Sequence, residues 1–139
     1  LDLVIEPTDP RLGVSACAGA PACASGHIET RAIAAALAGR QPDLIAAARH
    51  VHISGCAKGC AHPAPAAITL VGDENGVGLV VNGTARQKPA AYTRSDTLAE
   101  SLQRLAGLVN EGGAAGENKA GCLSRIGEDR LASAFRQEV

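Results

Sequence analysis

Arg49-His50-Val51-His52-Ile53-Ser54-Gly55-Cys56-Ala57-Lys58-Gly59-Cys60 carries the chain from regular structure into a cysteine loop. Through residues 49–54 the pattern alternates, with Val51 and Ile53 on one side and His50 and His52 on the other, as a half-buried strand requires. That strand runs directly into two cysteines set among glycine and alanine. Sheet scaffold and candidate chemistry therefore meet at one strand end.

Downstream, Ala67-Ile68-Thr69-Leu70-Val71 and Val77-Gly78-Leu79-Val80-Val81 flank turn-forming residues 72–76, so strands near 67–71 and 77–82 read as a hairpin. Ser95 stands where it can cap a helix over 95–110, whose Leu98, Leu102, Leu105 and Val109 recur at helical spacing. Residues 111–121 are Gly-rich and lack large apolar side chains, the composition of a mobile connector. A last helix near 124–136 presents Ile126, Leu131 and Phe135, with Phe135 as its anchor. Upstream, Leu3-Val4-Ile5 ended by Pro7 and Pro10 reads as a strand near 2–6. A helix over 27–38 stops at Gly39, and Pro42 fits the first turn of a short helical stretch through Ala48. The expected fold is α+β, a sheet of four or five strands covered by helices, with the cysteines in two loops at one sheet edge.

The 139 residues and 14.0 kDa fit a single domain. Residues 1–110 carry the cysteine-bearing unit, 111–121 connect, and 122–139 supply the C-terminal helix of the same domain. Apolar residues make up 46% and charged residues 19%, which separates the chain from disordered sequences. A net charge of -1 supplies no field for a nucleic acid or an anionic membrane surface. Tyr92 and Phe135 are the only aromatics besides histidine, too few for a base-stacking platform. No apolar run reaches the ~20 residues of a membrane span, and the first residues carry acid instead of a basic signal region. The reading is a soluble, unexported, cytoplasmic chain that begins with Leu1, as a processed or excised piece of a longer protein does.

Five cysteines without an export signal argue against a disulfide framework. Cys17 and Cys23 enclose five residues, Cys56 and Cys60 enclose three, and 32 residues separate the pairs. Two short loops can therefore bring four thiolates together, the donor set of an iron–sulfur cube. Structural zinc favours gaps of two to four residues, so Cys56 and Cys60 fit it and Cys17 and Cys23 fit it poorly. Small neighbours, among them Ala18, Gly19, Ala20, Ala22, Gly55 and Gly59, leave room for a bulky inorganic core and let backbone amides reach sulfur. Cys122 stands apart as a small apolar side chain or an exposed thiol.

Ala16-Cys17-Ala18-Gly19-Ala20-Pro21-Ala22-Cys23, followed by Gly55-Cys56-Ala57-Lys58-Gly59-Cys60, resembles the cysteine signature of the nitrite and sulfite reductase superfamily. The resemblance implies that Cys17, Cys23, Cys56 and Cys60 hold a 4Fe–4S cluster, in a fold like that superfamily's cluster domain, an α+β fold with a mixed β-sheet covered by helices. In its sirohaem-containing members the last sulfur also bridges to the sirohaem iron, a role that would fall to Cys60. Those members usually place Pro and Asn after the third cysteine, where this chain has Ala57-Lys58. The run from Gly55 through Ala61-His62-Pro63-Ala64-Pro65-Ala66 to Gly72 more closely resembles the precorrin-3B synthase branch. That branch implies an oxidoreductase, a monooxygenase using dioxygen and an NADH-derived reductant to convert precorrin-3A to precorrin-3B in aerobic cobalamin biosynthesis. Superfamily members have two pseudo-repeated halves, so the resemblance makes this chain the carboxy-terminal cluster module. Its implied partners are a tetrapyrrole substrate, the missing N-terminal half and an electron donor, and alone it should not turn over. Sirohaem or a second iron centre belongs, on this reading, to the full-length protein. The alternatives are part of a sirohaem-dependent sulfite or nitrite reductase, and a non-enzymatic cluster- or zinc-binding module.

Lys58, between two ligand candidates, can offset cluster charge or meet a substrate carboxylate, against the plainer reading of a solvated loop lysine. His62 can donate to cluster sulfur, bind a second iron or act on substrate, or be a loop side chain fixed by Pro63. His50 and His52 are expected on the wet face of their strand, more as polar cover than as metal ligands. His27 stands beside the first cysteine pair. Arg11, Arg49, Arg86 and Arg94 are candidates for gripping acidic groups, and the sequence does not choose among them.

Overall fold

Alternating apolar residues build the sheet that the rest of the chain covers. The computed structural model describes residues 6–7, 9–112 and 122–136. Its elements run β1 (Val14–Ala16), α1 (Thr30–Arg40), α2 (Pro42–Ala48), β2 (Val51–Ser54), β3 (Ala66–Asp73), β4 (Gly76–Gly83), β5 (Ala91–Thr93), α3 (Leu98–Gly112), α4 (Cys122–Ile126) and α5 (Glu128–Arg136). The five strands lie in chain order, β1, β2 and β3 parallel, then β4 and β5 antiparallel. The fold is α+β with a mixed sheet, the class that the patterning implies and the sheet type that the resemblance implies.

One sheet face, carrying Val51, Ile53, Ile68, Leu70, Val77 and Leu79, packs under the helices against Leu37, Leu44, Leu105 and Phe135. Phe135 is fully buried, so the only phenylalanine is the anchor its position predicts. Leu98, Leu102, Leu105 and Val109 are all buried, as their spacing requires. Burial of Ser101 is matched by hydrogen bonds: its Oγ donates to the Phe135 carbonyl at 2.8 Å, and Arg104 Nη2 donates to Ser101 Oγ at 3.0 Å. Arg104 Nε also reaches the Ala134 carbonyl at 2.6 Å, so this side chain satisfies carbonyls at the end of α5.

Several element limits differ from the pattern-based ones, for local reasons. β2 starts at Val51 because Arg49 closes α2 with a φ of 64°, leaving the extended region. α1 starts at Thr30 because the 27–28 backbone is taken up by loop bonds: His27 N–H donates to Gly55 O, and Ile28 O accepts from Ala20 N–H. Ser95 does not cap α3; it opens a 3-10 turn, Ser95–Thr97, ahead of the helix. The expected last helix is two, broken at Gly127, whose φ is 86°. β1 and β5, three residues each, are not among the expected strands. The strand expected near 2–6 falls, Glu6 excepted, outside the described residues, as does the connector beyond Gly112. The β3–β4 hairpin closes on Glu74 and Asn75, with Asn75 N–H held by Asp73 Oδ1 at 2.7 Å. No described helix is long and apolar enough to cross a membrane.

The two parallel crossovers differ. β1 returns to β2 through α1 and α2, whereas β2 returns to β3 through residues 55–65 with no helix at all. That irregular crossover is the second cysteine loop, and it lies over the sheet face opposite the helices. Val71, Val80 and Ala85 form a small apolar cluster there. His52 is consequently fully buried, correcting the expectation of a wet face: β2 is covered on both sides, as parallel strands usually are.

Candidate functional site

Cys17 directly follows β1 and Cys56 lies two residues past β2, so both cysteine loops start at the carboxyl ends of adjacent parallel strands. Ligands of open α/β sheets bind outside such ends, because the chain leaves the sheet there in diverging loops. The loops are bonded to one another. Gly55 N–H donates to Cys17 Sγ at 3.2 Å, His27 N–H to Gly55 O at 2.8 Å, and Lys58 Nζ to Ser25 Oγ at 3.2 Å.

Glycine makes this approach possible. A Cβ on Gly55 would stand 3.2 Å from Gly26 Cα, 3.3 Å from Gly19 Cα and 3.6 Å from Cys17 Sγ. Gly19 also has a φ of +64°, a conformation side chains rarely adopt. Within the first loop Cys23 N–H donates to Gly19 O at 2.7 Å, Gly26 N–H to Cys23 O at 3.0 Å, and Thr30 Oγ1 to Cys17 O at 2.6 Å. In the second, Ser54 Oγ donates to Cys56 O at 2.5 Å. The expectation that small residues admit an amide to sulfur holds at Gly55.

Cys17, Cys23, Cys56 and Cys60 are free thiols, the first three half-buried and Cys60 exposed. Among the described residues, no three or more His, Cys, Asp and Glu side chains gather so as to hold one metal ion. What stands is a pair of joined loops carrying soft donors, with sulfur already accepting one backbone hydrogen bond. The side chain of Cys122 lies outside the described residues.

A histidine cluster underlies the second loop. The His62 ring stacks on His50 with centroids 4.4 Å apart, and meets His52 edge-on at 5.6 Å. Ser15 Oγ and His50 Nε2 are hydrogen-bonded at 2.8 Å. Both ring nitrogens of His52 are buried without a partner, and burial first, then the neighbouring His62 and His50, push its pKa down to about 4. Burial and His62 lower His50 as well. His62 is thus a packing partner of the sheet histidines, a contact the sequence could only have suggested through the shared face of His50 and His52.

Lys58 is exposed and lines two cavities. One, open and about 610 Å³, is walled by Ser25, His27, Cys56, Lys58, Asp73 and Arg86. The other, about 380 Å³, is walled by Lys58, Gly59, His62, Thr84 and Arg86 among others. Of the four candidate arginines only Arg86 reaches this region. Arg11 is bound to Asp9 and Arg94 to Asp96, while Arg49 lines a separate cavity with Pro7 and Asp43.

No protein-family model matches the chain. A curated protein from Sinorhizobium sp, named precorrin-3B synthase, is 45% identical over 133 residues, 96% of this chain. In sequence, the chain is precorrin-3B synthase-like. It spans 29% of that relative's length. A match covering 133 of 139 residues necessarily includes both cysteine loops and the Lys58–Arg86 region of this precorrin-3B synthase-like chain.

Proposed function

We propose that this chain is the iron–sulfur part of a precorrin-3B synthase-like oxidoreductase of cobalamin biosynthesis, with Cys17, Cys23, Cys56 and Cys60 as ligands of a 4Fe–4S cluster. The observation that carries the reading is the Gly55 N–H bond to Cys17 Sγ, which joins the two loops at a candidate ligand. The 45% identity to a precorrin-3B synthase supplies the chemistry those loops would serve. Bound there, the cluster supplies one-electron transfer, and amide donation to its sulfurs sets its potential.

The chain's own residues bind and shield. Gly55 N–H stabilises the Cys17 thiolate, the close Gly19–Gly26–Gly55 contact keeps the first loop against the second, and Lys58 places a positive charge beside Cys56. His62 lines the neighbouring cavity, where it is available to a substrate. In the whole enzyme, dioxygen gives one atom to precorrin-3A and the other to water. Two NADH-derived electrons and two protons complete the balance, and the product carries the new hydroxyl and lactone of precorrin-3B. Residues 1–110 and the 122–139 segment, which carries α4 and α5, act in this as one domain, with the tetrapyrrole and an electron donor as partners.

Anaerobic iron and acid-labile sulfide analysis of the full polypeptide carrying this sequence, with EPR after dithionite reduction, tests the cofactor. About four irons and four sulfides with a reduced-cluster signal are expected. Cys60→Ser should lower both contents; unchanged contents would remove Cys60 from the ligand set, and zinc without sulfide would overturn the cluster. Dioxygen-dependent turnover of precorrin-3A by the loaded protein then tests the substrate.

A further inference from the structure

We propose that Lys58 and Arg86 form a two-cation clamp for a carboxylate arm of the tetrapyrrole, on the ridge between the Cys56 cavity and the His62 cavity. The inference rests on the tetrapyrrole reading above and adds a binding site to it.

Three features build the clamp. First, both cations line both cavities, so they flank a shared boundary. Second, the chain fixes the backbone turn that carries Arg86. Thr84 to Gln87 form a β-turn closed by Gln87 N–H to Thr84 O at 3.1 Å, with Thr84 N–H donating to Gln87 Oε1 at 2.6 Å. Inside this turn Ala85 is buried on Val71 and Val80. The ligand loop rests on it: a Cβ at Gly59 would stand 3.4 Å from Ala85 Cβ. Gly59 follows Lys58 and Ala85 precedes Arg86, so the segments that carry the two cations pack side by side at the cavities both line.

Third, neither cation is neutralised. Among the described residues Lys58 and Arg86 make no ion pair, whereas Arg11 and Arg94 do. Lys58 gives Ser25 Oγ one hydrogen bond and has donors to spare. The carboxylate lining the larger cavity, Asp73, is turned to its own partners, accepting from Tyr92 Oη and Asn75 N–H at 2.7 Å each. A guanidinium fork beside an ammonium suits a carboxylate, which it grips in two directions. With Cys56 in the wall of the same cavity, a macrocycle held by its acidic arm lies beside the second ligand loop.

The test is equilibrium binding of uroporphyrin, an octacarboxylate tetrapyrrole, to the full polypeptide carrying this sequence, followed by fluorescence. Arg86→Gln and Lys58→Gln should each weaken binding about tenfold and the double variant more than either, with Arg86→Lys intermediate. Arg94→Gln, an exposed charge elsewhere, should leave binding unchanged. Binding of the uncharged octamethyl ester should be insensitive to all five variants. If wild type binds uroporphyrin and the Arg86 and Lys58 variants match Arg94→Gln, the clamp is wrong and the tetrapyrrole reading stands. If wild type with full iron and sulfide content binds no uroporphyrin, the tetrapyrrole reading fails and takes the clamp with it.

Discussion

His52 meets the His62 ring edge-on at a centroid separation of 5.6 Å, and neither of its own ring nitrogens has a hydrogen-bond partner. The native state therefore holds His52 neutral, with a pKa of about 4 against 6.5 when unfolded. Unfolding takes up a proton between those values, so stability is full above pH 6.5 and falls as pH drops towards 4. The loss attributable to His52 is on the order of 3 kcal/mol, and His50 adds to it in the same direction. His52→Leu removes the unpartnered nitrogens, so urea unfolding at pH 7, 6, 5 and 4.5 should give it a visibly flatter profile than wild type. Parallel profiles would show that His52 finds a partner in solution.

Gly55→Ala tests the contact between the cysteine loops. The added methyl meets backbone at Gly26 and Gly19, which cannot swing aside as a side-chain tip can. Overpacking of this kind costs about 1–3 kcal/mol. The Gly55 amide should also be displaced from Cys17 Sγ, so the variant is expected to lose iron to a chelator faster than wild type, in addition to its lower thermal midpoint.

Removing the hydroxyl in Ser101→Ala takes one of two donors from the Phe135 carbonyl, which keeps Arg104 Nη2, and deprives Arg104 and Thr93 Oγ1 of a buried partner. A cost of about 1–3 kcal/mol follows, read as a shift of the urea midpoint with an unchanged slope. Ser101 is far from the cysteine loops in the chain and belongs to the α3–α5 packing, so iron content should not change.

Phe135→Ala opens the core where the largest buried side chain sits. Losses of about 3–5 kcal/mol are usual for such truncations. Chemical denaturation should show a destabilisation in that range, and a loss below about 1 kcal/mol would mean that the helices close over the gap.

Legibility in the sequence tracked the physical signal. Long periodic runs announced themselves: the hairpin over Ala67–Val81 and the stripe from Leu98 to Val109 lie where alternation and helical spacing put them. The three-residue strands β1 and β5 show no such pattern, since three residues are too few to alternate and their pairing is decided by neighbours. His52 misled for a tertiary reason, because a polar residue opposite Val51 and Ile53 reads as solvent-facing until the crossover loop folds over it. Of the site, the cysteine spacing and Lys58 were readable locally. Arg86 was one arginine among four, and what singles it out is tertiary: the packing of Ala85 beneath Gly59 and the cavities it lines with Lys58.

The helix-free crossover from β2 to β3 has a thermodynamic consequence. Eleven residues, 55–65, close a parallel strand pair, and two of them are Cys56 and Cys60. Anchoring both thiols to one rigid body would shorten the freely moving tether and reduce its closure entropy. Occupancy of the site and pairing of the strands then become linked equilibria, each reinforcing the other. Amide exchange along β3 would slow as the site fills, making the middle of the sheet a reporter of loading at its edge.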